Sequence, residues 1–196
     1  MSGSPSSGPE LSSACPGNNV TRVYVAAGSN IEPERHLACA AAGLESAFGA
    51  LDVSPWYRNT AAGFLGPDFI NFVVGFDTAL PLRAVVTELR AIETRCGRPR
   101  DAPKWQSRAI DLDILLYGDE VRAEPDLKLP RPDLLKRAYM LGPLADLAPA
   151  LIHPTVRLSI AELWKRFDRA AHPLHVTAAA FTSRRSGPRP PPGLGP

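Results

Sequence analysis

Short strand-like and helix-like apolar patterns alternate along the chain in the order β-α-β-β-α-β. This predicts an α+β fold, a ferredoxin-like sandwich with a short C-terminal extension of strand and helices. Two further observations support that reading. The 196 residues are 44% hydrophobic and 21% charged, which suits one globular domain with a full core. Pro33, Gly49, Pro81 and Gly97 also punctuate the two helical patterns where helices start and stop.

Residues 23–27 read as a short buried strand ending at Gly28-Ser29-Asn30. Pro33 fits the first turn of a helix whose stripe is Leu37, Ala41, Leu44 and Phe48, with Gly49 as its C-terminal cap. Residues 51–57 form the second strand, and a Gly- and Ala-containing loop covers 59–67. In the third strand, 69–77, Ile70, Phe72, Val74 and Phe76 take one face, and Phe69, Asn71 and Val73 the other. Pro81 opens a second helix with the stripe Leu82, Val85, Leu89, Ile92 and Cys96, and Gly97 stops it. An arginine-rich loop leads into the clearest strand, 109–117. Beyond Gly118 the pattern weakens to a short strand at 127–129 and short helices at 133–147 and 160–167.

The domain is expected over 20–182. Residues 1–19 are rich in Ser, Gly and Pro, and 183–196 combine three arginines with a Pro/Gly run. Neither has the apolar content to offset the entropy of ordering it, so both are predicted to be disordered. The first segment lacks the basic start and apolar block of a secretory signal, and no apolar run is long enough to span a bilayer. A cytoplasmic location and no membrane partner are the expectation. The net charge of +2 comes from Arg184, Arg185 and Arg189 against Glu10, so the middle is neutral. That argues against a nucleic-acid partner. Cys15, Cys39 and Cys96 are widely spaced with no C-x-x-C pairing, so Cys39 and Cys96 are expected to be structural, Cys96 packing as a small apolar side chain. His36, His153, His172 and His175 have no metal-ligand spacing.

The informative segment is GRPRDAPKWQSRAIDLDILLYGD, residues 97–119. Strand alternation puts Asp111 and Asp113 on one face and Ile110, Leu112, Ile114 and Leu116 on the other. Each aspartate raises the cost of ionising its neighbour unless a cation is present, and such a pair suits Mg²⁺, which takes its other ligands from water and phosphate. An exposed strand face that merely carries two acids is the plainer alternative. Arg98, Arg100 and Arg108 lie close in sequence, and phosphoryl transfer needs this kind of charge neutralisation. A solvated loop is the competing reading of the cluster. Trp105 suits a lid or stacking surface for a flat ligand, or loop packing against the core.

The run R-P-R…K-W-Q-S-R-A-I-D-L-D-I-L resembles the signature of the 6-hydroxymethyl-7,8-dihydropterin pyrophosphokinase family of folate biosynthesis. Ala26-Ala27-Gly28-Ser29-Asn30 resembles the family's A-x-G-S-N, and Pro67-Asp68-Phe69-Ile70-Asn71 its P-D-(Tyr/Phe)-(Leu/Ile)-Asn. Ile92-Glu93 and Arg137-Ala138-Tyr139-Met140-Leu141 follow in the family's order, so the resemblance spans 22–151. It implies an ATP-dependent diphosphotransferase in which Asp111 and Asp113 hold two Mg²⁺ ions. Arg98 and Arg108 would neutralise charge as the pyrophosphoryl group leaves AMP. Glu93, Arg100, Trp105, Arg108, Ile114, Arg131 and Arg137 would contact ATP. Asn71 would read the pterin amide edge, Phe69 and Tyr139 would sandwich its ring, and Gly28, Thr60, Ala62 and Trp105 would complete the substrate site. The resemblance further implies a mobile loop carrying Arg100 and Trp105, no covalent intermediate, and a monomer whose partners are ATP and the pterin.

The chain departs from the family at several points. It has Gln106-Ser107 after the tryptophan, Pro130-Arg131-Pro132 where a Pro-His pair is usual, and T-A-A-G-F where the pterin loop often carries prolines. The Arg/Pro tail is no family feature. Three rival readings make different predictions. A regulatory ferredoxin-like domain would bind without turnover, an RNA-binding module would bind with steep salt dependence, and a related enzyme would use another pterin-like alcohol.

Overall fold

The computed structural model describes residues 20–61, 66–98 and 109–177. Its main chain runs β1 (Thr21–Ser29), α1 (Pro33–Phe48), β2 (Asp52–Val53), β3 (Tyr57–Asn59), β4 (Phe69–Thr78), α2 (Leu82–Arg95) and β5 (Asp111–Tyr117). It continues through β6 (Arg122–Glu124), β7 (Leu127–Leu129), α3 (Ala138–Leu147), α4 (Ile160–Arg166) and β8 (His175–Val176). The fold is mixed α/β, with an antiparallel sheet of order β5-β1-β4-β3-β8 to which β2 adds by pairing with β4. β6 and β7 form a separate hairpin. Among the described residues no helix is long and apolar enough to cross a membrane.

The helix boundaries follow from local chemistry. Pro33 opens α1, and Gly49 closes it at φ 81, a conformation that costs a glycine little. Pro81 precedes α2, and Gly97 at φ 92 ends it. The stripes Leu37, Ala40, Ala41, Leu44 and Leu82, Val85, Leu89, Ile92 are buried against one sheet face. There they meet Val23, Val25, Ile70, Phe72, Val74, Phe76, Leu112 and Ile114. Phe76 stacks on Phe48 with ring centroids 4.1 Å apart. Burial of each such large side chain contributes about 1.5–3 kcal/mol.

The opposite face is not simply open. Its inner part carries a second core, in which Tyr24, Ala26, Val73, Leu115 and Leu116 pack under Met140, Leu141 and Leu144 of α3 and Ile160 of α4. A register shift explains a departure from strict alternation. Val25 pairs with Ile114 but Tyr24 with Leu116, so Leu115 is the extra residue of a β-bulge. Leu115 and Leu116 therefore both enter the second core, whereas the sequence reading put Leu116 with Leu112.

Four other expectations change. The single strand expected at 51–57 is split into β2 and β3, because Pro55 has no N–H to donate. Ser54 substitutes for the ladder: its N–H donates to the Val73 carbonyl at 2.9 Å, and its Oγ accepts from the Val73 N–H at 2.9 Å. Trp56 then turns inward and stacks on Phe72 at 5.2 Å. The helix expected over 133–147 begins only at Ala138, since Arg137 is extended at φ −124 and ψ 115. β6 and β8, at three and two residues, are too short to leave a period. Finally, Cys39 and Cys96 are joined in a disulfide across α1 and α2 with Cα atoms 5.8 Å apart, where the sequence suggested an unpaired apolar role. Their separation of 57 residues hid the pairing. The segments expected to be disordered, 1–19 and 183–196, lie outside the described residues.

Candidate active site

The site is built on one row across the sheet. Gly28 of β1 lies opposite Asp111 of β5 on one side and Asn71 of β4 on the other. Two residues along, Ala26 lies opposite Asp113 and Val73. Residues directly opposite in antiparallel strands share a face, so Asp111, Asp113, Gly28 and Asn71 all look toward the α3 side. The small residues of β1 leave a trough between the carboxylates and Asn71. A side chain at position 28 would displace Asn71, because a Cβ there would meet the Asn71 Oδ1 at 2.4 Å. Asn71 is buried, and its Nδ2 donates to the Asn59 Oδ1 at 2.6 Å, which holds the amide in one orientation.

The acidic end of the trough is tied to two arginines. Arg98 Nη1 donates to the Asp111 Oδ1 at 2.6 Å and also bonds the Glu93 carboxylate. The other duty of Glu93 is structural, since its Oε1 accepts from the Leu112 N–H at 2.8 Å. Burial pushes the Glu93 carboxyl above its usual range, against the pull of the Leu112 N–H and Arg98. Burial works against the Arg98 charge too, yet Asp111 and Glu93 outweigh it and hold the guanidinium above its ordinary value. Arg131 Nη1 lies 2.9 Å from the Asp113 Oδ1, and its Nη2 lies 3.8 Å from the Asp133 Oδ2. The side chains of Asp111 and Asp113 keep 23% and 20% of their surface exposed, so both remain open to a ligand.

At the other end of the trough, Phe69 opens β4 and is half-buried, and Tyr139 stands in the first turn of α3 against the second core. Burial raises the Tyr139 hydroxyl pKa. Tyr57, paired with Asn71, donates to Asp146 of α3, and burial with that bond pushes its pKa up to about 12. This bond clamps β3 to α3. Beside it opens a cleft of about 250 Å³ lined by Asn59, Thr60, Arg137, Tyr139, His172 and Leu174. The wall contributed by His172 and Leu174 was not foreseen from sequence, because no motif marks that segment. Asn59 and Asp133 were missed for the same reason: each acts by supporting a neighbour.

Among the sequence-predicted site residues, Gly28, Asn71, Arg98, Asp111, Asp113 and Arg131 come together around the trough, with Glu93 behind Arg98. Ile114 is different. Its side chain is buried in the first core, on the face away from the aspartates, which leaves only its backbone on the terminal strand of the sheet for a ligand. Ala62, Arg100, Trp105 and Arg108 lie outside the described residues. No group of three or more His, Cys, Asp or Glu that could hold a metal occurs among the described residues. The donor set is therefore two partly exposed carboxylates, which suits a hard cation that keeps water and ligand oxygens around it.

Comparison with known proteins identifies the family. The family model of 7,8-dihydro-6-hydroxymethylpterin-pyrophosphokinase (HPPK) matches residues 24–149. The 2-amino-4-hydroxy-6-hydroxymethyldihydropteridine pyrophosphokinase of Pseudomonas aeruginosa is 41% identical over 142 residues, covering 70% of this chain and 87% of that protein. The Aquifex aeolicus protein of the same name is 35% identical over 142 residues, covering 71% of this chain and 88% of its own. Among solved structures, a triple-mutant Plasmodium falciparum HPPK-DHPS with SDX-DHP superposes with a TM-score of 0.61 at 14% identity. The match covers 77% of this chain and 45% of that one, so the likeness is one of fold over less than half of the larger protein.

Proposed function

Because the chain belongs to the 7,8-dihydro-6-hydroxymethylpterin-pyrophosphokinase family, we propose a division of labour among its residues for that family's reaction. The enzyme transfers the pyrophosphoryl group of ATP to 6-hydroxymethyl-7,8-dihydropterin in folate synthesis, releasing AMP. The observation that carries the assignment of roles is the row Asp111–Gly28–Asn71. It spans two strand spacings, about 10 Å, with an acidic, arginine-backed end and an amide end.

Asn71, held by Asn59, presents a fixed amide to the polar edge of the pterin, which gives specificity by paired hydrogen bonds. Phe69 and Tyr139 supply the apolar faces for its ring, and the backbone at Thr60 and the bare Cα of Gly28 allow close approach. Arg98, fixed between Glu93 and Asp111, aims positive charge at the transferring phosphates without having to reorganise. Arg100 and Arg108, which lie between α2 and β5 in sequence, would add positive charge, and Trp105 would offer an aromatic surface to the flat ligands. Glu93, the Ile114 backbone, Arg131 and Arg137 contact the nucleotide. Asp111 and Asp113 would hold Mg²⁺, up to two ions, which neutralises the polyphosphate when bound. The pterin hydroxyl attacks the β-phosphorus directly, so no residue is needed as a covalent carrier. The strand order β5-β1-β4-β3, with α1 and α2 on one face, supports a ferredoxin-like description of the fold. We read the working unit as a monomer acting on small molecules.

Product analysis tests this. Purified protein with ATP, Mg²⁺ and the dihydropterin should yield AMP and the pterin diphosphate. Asp111→Ala should lose both products by at least a hundredfold while its circular dichroism stays unchanged, as expected when charge-stabilising groups are removed. Formation of ADP would sink the pyrophosphoryl assignment.

A further inference from the structure

The place where this chain departs from its family's Pro-His pattern is also where an arginine touches the site. Arg131 stands between Pro130 and Pro132, and its backbone N–H donates to the carbonyl of Leu115 at 2.9 Å. Leu115 is the bulged residue of β5, skipped in the register with β1. The bulge thus supplies an acceptor that fixes Arg131 beside the strand, two residues from Asp113. From there the guanidinium reaches the Asp113 Oδ1 at 2.9 Å, with Asp133 3.8 Å from its other arm. Its Nε is buried and has no acceptor among the described residues. The fork is therefore only partly satisfied where it sits. The Arg131 side chain is 35% exposed, so the pair is weak enough to exchange.

We propose that Arg131 is a resident counter-ion for Asp113. In the nucleotide-free enzyme it occupies the carboxylate that a divalent cation needs. When cation and nucleotide arrive together, it turns from Asp113 to a phosphate oxygen, for which a planar guanidinium is well suited. This rests on the reading of Asp111 and Asp113 as cation ligands. The consequence is ordered loading: the bare metal competes with an internal cation, whereas the metal–nucleotide complex brings the acceptor that releases it. Arg131 is in this sense a positioning residue, because it governs when the carboxylate becomes available. Replacing its side chain leaves the backbone bond to Leu115 in place, so the segment keeps its anchor.

The test is Mn²⁺ binding to the full-length protein, read by the free-ion paramagnetic resonance signal, with and without a non-hydrolysable ATP analogue. Arg131→Ala and Arg131→Gln should bind Mn²⁺ roughly three- to tenfold more tightly without nucleotide, and the Mn²⁺–analogue complex more weakly, than wild type. Lys136→Ala removes a charge from the same turn without touching the aspartates and should stay within about twofold of wild type. An unchanged or weaker Mn²⁺ affinity in both Arg131 variants, or an equal gain in Lys136→Ala, overturns the counter-ion role. Asp113→Asn distinguishes loss of the cation site from loss of the Arg131 counter-ion. If it abolishes Mn²⁺ binding while the Arg131 variants show no gain, the cation reading stands and the inference fails. If no form binds Mn²⁺, even with the analogue, the cation reading itself fails.

Discussion

Gly28 and His153 show how much a single position contributes. Gly28 was readable as part of a motif, but its physical role appears only in the register, where it faces Asp111 and Asn71 at once and leaves no room for a Cβ. His153 carries no motif. It is 2% exposed, and its Nδ1 accepts from the Val156 N–H at 3.3 Å. Its Nε2 has no partner among the described residues, and burial lowers its pKa below the ordinary 6.5. A histidine kept neutral in the folded state binds its proton more readily once unfolded. Its contribution is therefore fully present above the ordinary value and is lost as pH falls from about 6.5 toward the lowered folded value. Urea unfolding at pH 7.5 and 5.5 should show wild type losing stability on acidification, with His153→Gln losing visibly less. An equal loss in both proteins would remove His153 from the account.

At the scale of elements, the disulfide and the β-bulge govern how the site is held. The Cys39–Cys96 bond ties α1 to the end of α2, two residues before Arg98. It closes a loop spanning 57 residues, for which the chain-entropy model gives about 4 kcal/mol, and measured values often run nearer 2. Cys39→Ser with Cys96→Ser should lower the free energy of unfolding by about 2–4 kcal/mol. Dithiothreitol should do the same to wild type and nothing to the double variant. A denaturation midpoint that ignores both treatments would mean the bond adds no stability. Helix ends were legible because Pro33, Gly49, Pro81 and Gly97 act through their own backbones. The bulge at Leu115 was not, because DLDILLY alternates acceptably in either phase until a second core claims two consecutive leucines.

Across the whole molecule, two cores share one sheet, and the ligand trough lies where the second core ends at the tops of β1, β4 and β5. A ligand held there would contact the sheet, α3 and the end of α2 together, so binding should stabilise the entire fold. With a non-hydrolysable ATP analogue and Mg²⁺ at about 100 times the dissociation constant, stabilisation should reach about 2.7 kcal/mol, or roughly 5–10 °C in Tm. Differential scanning fluorimetry should show this shift in wild type and little of it in Asp111→Asn. A full shift in that variant would put the nucleotide elsewhere.

The sequence by itself determined the order of the main elements, the faces of β4 and the helix caps, and it marked Gly28, Asn71, Asp111 and Asp113 as candidates for one site. Each of these depends on near neighbours: a period, a ring, a missing Cβ, or a spacing of two residues. Tertiary structure alone decided that Gly28 separates Asp111 from Asn71, that Cys39 meets Cys96, and that Arg131 lies on Asp113. It also brought His172 and Leu174 to the cleft beside Tyr139. The physical reason is that pairing register and layer packing join residues 18 to 83 positions apart, from Arg131–Asp113 to Gly28–Asp111. Their contacts exist only once burial of both cores has made that register the most stable one.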